Sequence, residues 1–192
     1  MKKLVIKTTL ITLASLIGTL IIAFGAVAIF APGFTAGIFD GVGNYSATVF
    51  FYEKQYAKTG DIDDLAVLVN KIDLDSDSVR AEKYLSQLVE HKDFDNFCEE
   101  PVQNGQISKS EFYCGNYVYV LAVRDKFDQA VIFAENYVSE NSYTKNNPYT
   151  ILIYGVDEIT NVQLQTILNK LNLLTQTETV QQDIQYINQR LG

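Results

Sequence analysis

The feature that most constrains the fold is a long uncharged stretch near the N-terminus. No side chain from Thr8 to Phe39 carries a charge, and the most apolar part runs from Leu10 to Ala31. About 20 apolar residues in a helix span a hydrocarbon core of about 30 Å, and a helix satisfies its own backbone groups there. Residues 1–31 are therefore predicted to be a transmembrane signal-anchor, with residues 8–31 in the membrane.

The lysines that flank this stretch predict its orientation. Lys2, Lys3 and Lys7 precede it, and the next basic residue is Lys54. The positive-inside rule then places the N-terminus in the cytoplasm and the C-terminal domain outside the cell membrane. The alternative is a cleaved signal peptide, because Ala26-Val27-Ala28 matches an A-x-A cleavage site. Either alternative puts the domain outside the cytoplasm.

The rest of the chain is predicted to consist of a linker and one acidic domain. Residues 32–44 contain four glycines and are expected to form a Gly-rich flexible linker, followed by a domain at residues 45–192. All 23 acidic and 12 of the 15 basic residues lie in residues 40–192, which gives a net charge of −11 against −8 for the whole chain. An acidic domain repels phosphate backbones, so no nucleic-acid partner is expected.

Helical periodicity dominates the acidic domain and predicts an all-α fold. Ser108 and Glu111 form a capping-box pattern ahead of an apolar run. Residues Thr177–Leu191 form an amphipathic helix, with Asp183 on the polar face that is expected to meet solvent. Two apolar stripes repeat at i, i+3, i+4 and i+7, namely Leu164, Ile167, Leu168, Leu171 and Val180, Ile184, Ile187, Leu191.

The domain also contains a spacing that recurs about every 33 residues. The spacing is a tyrosine followed by apolar residues four, ten and thirteen positions later, which corresponds to a helix, a turn and a second helix. In the first copy, Gly60 and Asp61 stand at the turn and are expected to end one helix and cap the next. The copies are Tyr52, Tyr56, Ile62, Leu65; Tyr84, Leu88, Phe94, Phe97; Tyr117, Leu121, Phe127, Ala130; and Tyr149, Ile153, Ile159, Val162.

These residues resemble tetratricopeptide-type repeats over roughly residues 45–175. The best match is the run from Tyr56 to Leu65, Y-A-K-T-G-D-I-D-D-L, which is similar to the family's Y-x-x-x-G-[DN]-[YF]-x-x-A core. The resemblance implies a right-handed α-α superhelix of about four hairpins, with Thr177–Leu191 as a C-terminal capping helix. It also implies a concave surface that binds a protein or peptide partner and is lined by the middle of each first helix. The corresponding residues are Lys54, Ser86, Tyr119 and Ile151, with Tyr119 as the best anchor.

The two cysteines of the chain, Cys98 and Cys114, fall on neighbouring helices of hairpins two and three. Outside the cytoplasm a disulfide between them is chemically allowed, and it would close a loop through Pro101 and Gly105. The alternative is a pair of buried free thiols.

Reactive side chains otherwise form no recognisable catalytic or metal-binding pattern. His91 is the single histidine, so no second histidine is available for a zinc site, and no recognisable nucleophile motif accompanies it for a catalytic triad. Asp73, Asp75 and Asp77 begin like a calcium loop, but Ser78 and Tyr84 replace the glycine and glutamate that such a loop needs. No cofactor, metal site or enzymatic activity is therefore expected. The prediction is a membrane-anchored interaction scaffold, with a secreted helical factor or an envelope enzyme as alternatives. Lys outnumbers Arg by 12 to 3, which is typical of an AT-rich bacterial genome.

Overall fold

The computed structural model describes residues 2–99 and 106–192 and confirms the all-α prediction. The described residues form helices joined by turns, and no strand occurs among them. The chain divides into two compact units, Met1–Lys71 and Ile72–Gly192. The helices are α1 (Lys2–Phe30), α2 (Pro32–Gly41), α3 (Tyr45–Thr59), α4 (Ile62–Val69), α5 (Ser78–Val89), α6 (Phe94–Cys98), α7 (Lys109–Val123), α8 (Phe127–Glu140), α9 (Pro148–Tyr154), α10 (Asn161–Leu171) and α11 (Glu178–Leu191).

The first unit is dominated by α1, whose apolar part runs from Ile6 to Phe30. This part has 25 residues and is long and apolar enough to span a membrane. None of its most apolar stretch is buried inside the protein. A helix whose most apolar stretch is left unburied by the rest of the protein suits a lipid environment.

The segment predicted to be a flexible linker is instead largely helical. Helix α2 occupies Pro32–Gly41, with Pro32 in the first turn, where a missing N–H costs nothing. The Gly33 N–H donates to Gln55 Oε1 of α3 at 3.1 Å, and Thr35 and Ala36 are fully buried. Helix α2 is thus packed against α3 and is not a flexible linker.

The turn between α3 and α4 follows the prediction from sequence. Gly60 ends α3 in the left-handed conformation with a φ of 64°, which a residue with a Cβ rarely adopts. Asp61 then caps α4, because its carboxylate accepts the Asp63 N–H at 2.8 Å. Both predicted roles are confirmed.

The second unit is organised around α7, which packs against α5, α6, α8 and α9. Helix α8 in turn packs against α9 and α10, and α11 packs against α9 and α10. Side chains from α7 to α11 share one apolar core, including the fully buried Leu152, Ile153, Ile167, Leu171 and Ile187. Burial of one such side chain contributes roughly 1.5–3 kcal/mol, so this core stabilises the unit.

The four tyrosines that mark the predicted hairpins each lie in a helix that is followed by another helix. Tyr52, Tyr84, Tyr117 and Tyr149 lie in α3, α5, α7 and α9. Of the helix pairs that begin with these helices, α3 packs against α4 and α7 packs against α8. Tyr84 and Tyr149 are buried, whereas Tyr52 and Tyr117 are half-buried. The repeat relationship among the four pairs stays a prediction.

Candidate functional site

The candidate site is a groove of about 400 Å³ between α7 and α9 in the second unit. Both helices have well-defined starts that fix the side chains around it. Ser108 caps α7 in the predicted capping box, in which Ser108 Oγ accepts the Glu111 N–H at 3.1 Å and Glu111 Oε2 accepts the Ser108 N–H at 2.9 Å. The second carboxylate oxygen of Glu111 accepts the hydroxyl of Thr144, which holds the α8–α9 connection against α7.

These hydrogen bonds determine the charge state of Glu111. Partial burial raises the pKa of its carboxyl, but hydrogen bonds from Thr144 and Ser108 outweigh burial and lower the pKa below its ordinary value. Glu111 is therefore ionised at neutral pH, and both of its oxygens are engaged by the fold. It supports the groove instead of offering a reactive carboxylate.

The start of α9 is fixed in a similar way by Asn147. This buried side chain accepts the Tyr149 N–H at 2.8 Å and the Thr150 N–H at 3.4 Å, and Pro148 occupies the first helical turn. The caps of α7 and α9, together with the Thr144–Glu111 hydrogen bond, therefore fix the two walls of the groove within the fold itself.

The floor of the groove is the contact between Gly115 and Ile151. A Cβ atom added at Gly115 would lie 3.0 Å from Ile151 Cγ1, which is closer than normal carbon–carbon contact. Glycine thus lets α7 and α9 approach and leaves an open channel above them. Ile151 was one of the four predicted partner-groove residues, and it lines this channel.

The rim of the groove is apolar and partly exposed. Ile107, Phe112 and Tyr154 line it and are 53%, 44% and 47% exposed, respectively. The Tyr154 hydroxyl donates to Asp183 Oδ1 at 2.9 Å, which fixes the orientation of its ring. Large apolar side chains that stay exposed around a concave floor are typical of a protein-binding surface.

The other three predicted groove residues lie elsewhere. Ser86, on α5, donates its hydroxyl to the Lys83 carbonyl at 3.0 Å. Tyr119 lies one turn beyond Gly115 on α7, but its hydroxyl donates to Asp75 Oδ1 at 2.5 Å and its ring borders a different depression. Lys54 belongs to the first unit, where its ammonium lies 5.4 Å from the centre of the Phe50 ring. Of the four residues, only Ile151 lines the α7–α9 groove, together with Ile107, Phe112 and Tyr154, which were not among them.

Cys98 and Cys114 are both free thiols in the structure, and the disulfide between them stays a prediction. Burial raises the pKa of the Cys98 thiol to about 11 and that of the Cys114 thiol to about 12. Thiols with such pKa values are weak nucleophiles at neutral pH. The loop through Pro101 and Gly105 that a bridge would close lies outside the described residues.

The remaining polar motifs have structural partners. Asp73 Oδ1 accepts the N–H groups of Asp75 and Ser76 at 3.0 and 2.8 Å, which makes a tight turn ahead of α5. His91 Nδ1 accepts the Asp93 N–H at 3.2 Å. Within residues 2–99 and 106–192, no group of three or more His, Cys, Asp or Glu side chains is arranged to hold a metal ion.

Comparisons with protein-family models, with characterised proteins and with solved structures find no match to this chain.

Proposed function

We propose that the chain is a membrane-anchored scaffold that binds a protein segment in the α7–α9 groove outside the cytoplasm. The observation that carries this proposal is a preformed concave surface with an apolar floor at Ile151 and exposed apolar walls at Phe112 and Tyr154. The apolar face of a helix, or alternate side chains of an extended peptide, fits such a groove. A scaffold role without catalysis agrees with the engaged state of Glu111 and the weakly reactive thiols.

The helix contacts of the second unit support a solenoid arrangement of tetratricopeptide type. The first helices of successive hairpins adjoin one another, since α7 packs against both α5 and α9. The second helices α8 and α10 also adjoin, and α11 covers α9 and α10 in the position of a terminal cap. The chain lacks glycine at the family's position after the first-helix anchor, where Glu53, Leu85, Val118 and Thr150 stand. Gly115 provides close approach at a different position instead.

The proposed membrane topology rests on α1 and on its lysines. The apolar helix Ile6–Phe30 would cross the bilayer, with the basic end in the cytoplasm and the acidic residues 40–192 outside. Ala26-Val27-Ala28 lies inside the last part of α1, which continues unbroken to Phe30. The retained anchor is therefore favoured over the cleaved, secreted form.

The proposal is tested by capturing partners with the full chain from solubilised membranes of the cells that produce it. The informative variant is Phe112→Ala, which truncates one wall of the groove at a side chain that is 44% exposed. The matched control is Ile132→Ala on α8, where the side chain is 57% exposed and lies outside the groove. We expect the captured amount of one partner to fall by about tenfold or more with Phe112→Ala and to stay unchanged with Ile132→Ala. A partner set that is the same for both variants would overturn the groove assignment.

A further inference from the structure

The first unit contains a second groove, at the end of the apolar helix α1. One wall is formed by Ala28 and Ile29 in the last turn of α1, and the opposite wall is formed by Phe50 and Phe51 of α3. The groove has a volume of about 400 Å³, and Lys54 and Lys58 stand at its edge. It is thus an apolar channel with two cations on one side.

The two lysines are positioned together by α3. They are four residues apart on this helix and so share one face. Lys54 lies over the Phe50 ring, while Lys58 Nζ donates to the carbonyl of Phe30 at 2.8 Å. An ammonium has three donors, so Lys58 keeps two for another acceptor.

No carboxylate lies among the described residues that line this groove. Two acidic side chains of the same unit form hydrogen bonds or ion pairs with residues outside this groove. Asp40 pairs with Lys71 at 2.7 Å, and Asp64 accepts hydrogen bonds from Gln55 and Thr59 at 3.0 and 2.6 Å. The edge of the groove is therefore locally basic although the chain as a whole is acidic.

With α1 spanning the bilayer as proposed, the groove lies at the outer end of the predicted membrane segment 8–31, near the change from hydrocarbon to headgroups. Twenty residues of helix from Leu10 to Ile29 rise about 30 Å, which equals the thickness of the hydrocarbon core. Beyond that depth, exposed apolar side chains continue at Phe30 and Phe34, which are 75% and 66% exposed. Apolar surface next to lysines is the composition of a membrane interface.

We propose that this groove binds an anionic phospholipid of the outer-facing leaflet. An acyl chain lies between Ile29 and Phe50, and the headgroup phosphate accepts hydrogen bonds from Lys54 and Lys58. Free phosphate would leave the apolar walls unused, and the groove opens at the bilayer surface. The inference rests on the membrane-spanning part of the proposed function and is independent of the α7–α9 groove.

The test uses the full chain reconstituted into phosphatidylcholine vesicles that contain a photoactivatable phosphatidylglycerol. The probe is expected to label the peptides around residues 28–58. Replacing both lysines, Lys54→Gln with Lys58→Gln, is expected to reduce this labelling by about tenfold. The matched control is Lys92→Gln in the second unit, at a side chain that is 84% exposed, and it should label like the parent chain. A photoactivatable phosphatidylcholine probe should label the parent chain weakly.

The outcomes separate the lipid site from the anchor. Equal labelling of the parent chain and the double variant, or equal labelling by the two probes, would overturn the lipid site. Extraction of the vesicle-bound chain by alkaline carbonate would instead show that α1 does not span the bilayer and that the proposed topology fails. Circular dichroism compares the helix content of the double variant with that of the parent chain, so that reduced labelling can be distinguished from loss of the fold.

Discussion

The hydroxyl of Tyr143 donates a 2.7 Å hydrogen bond to Oδ2 of Asp183, a carboxylate that is only 4% exposed. The second oxygen of this carboxylate accepts the hydroxyl of Tyr154 at 2.9 Å. Asp183 belongs to α11, so one buried group connects this last helix to α9 and to the connection before it. A buried carboxylate is tolerated only with such partners, since an unpaired one is strongly destabilising.

Replacement of Asp183 by alanine is predicted to destabilise the second unit. The change leaves two tyrosine hydroxyls without their acceptor in a partly buried site, and the expected loss in the free energy of unfolding is about 2–4 kcal/mol. The measurement is urea denaturation followed by circular dichroism, with Asp157→Ala at an exposed turn as the control. A loss below that of the control would contradict the structural role of Asp183.

The tyrosines also predict how stability depends on pH. The hydrogen bond to Asp75, then burial, raises the pKa of Tyr119 to about 12, and burial together with Asp183 raises the pKa of Tyr143. A neutral phenol with a raised pKa holds its proton longer in the folded chain than in the unfolded chain. The contribution of the Tyr119 hydroxyl to the free energy of unfolding is therefore complete below the unfolded pKa of about 10. It is lost as the pH rises from there through the folded pKa of about 12.

Tyr119→Phe isolates one part of this pH dependence. At pH 8 the variant should be less stable by about 0.5 kcal/mol, because its hydrogen bond is partly exposed to water. Above pH 10 the difference between the parent chain and the variant should shrink, which denaturation curves at pH 8, 10 and 11 will measure. A difference that stays constant across this range would show that the Tyr119–Asp75 bond does not titrate as expected.

The thiols are predicted to react slowly in the folded chain. With pKa values of about 11 for Cys98 and about 12 for Cys114, the thiolate fraction at pH 8 is below about one in a hundred. Iodoacetamide should therefore label the native chain far more slowly than the unfolded chain, and unfolding without a reductant should release two thiols. If thiols appear only after reduction, the bridge predicted from sequence is formed after all.

Retention of α1 is predicted for the mature protein. Mass spectrometry of the chain isolated from membranes should find the N-terminal residues that include Lys7. A mature chain that starts at Ile29 would show cleavage after Ala28 and would favour the secreted form.

The accuracy of the sequence predictions depended on whether the determining contacts were local. The capping box of Ser108 and Glu111 and the turn at Gly60 and Asp61 involve residues at most a few positions apart, and both were predicted correctly. Helix α2 contains three glycines, which predict a flexible segment, but Pro32 is favourable at a helix start and the buried face of α2 stabilises the helix.

Features that depend on distant residues were not predictable in the same way. Asp183 was expected to meet solvent, because its partners Tyr143 and Tyr154 lie 40 and 29 residues away. The groove likewise depends on which helix packs against α7. No sequence signal distinguishes Phe112, which lines the groove and is partly exposed, from an ordinary core residue, since its exposure follows from the α7–α9 packing.

The most direct test of the scaffold proposal is site-specific photocrosslinking in intact membranes. A photoreactive amino acid replaces Phe112 at the rim of the α7–α9 groove in one version of the full chain, and Ile132 on α8 in another. Partner binding in the α7–α9 groove predicts a discrete protein adduct from position 112 that is absent from position 132. No adduct from position 112, or the same adducts from both positions, would contradict it.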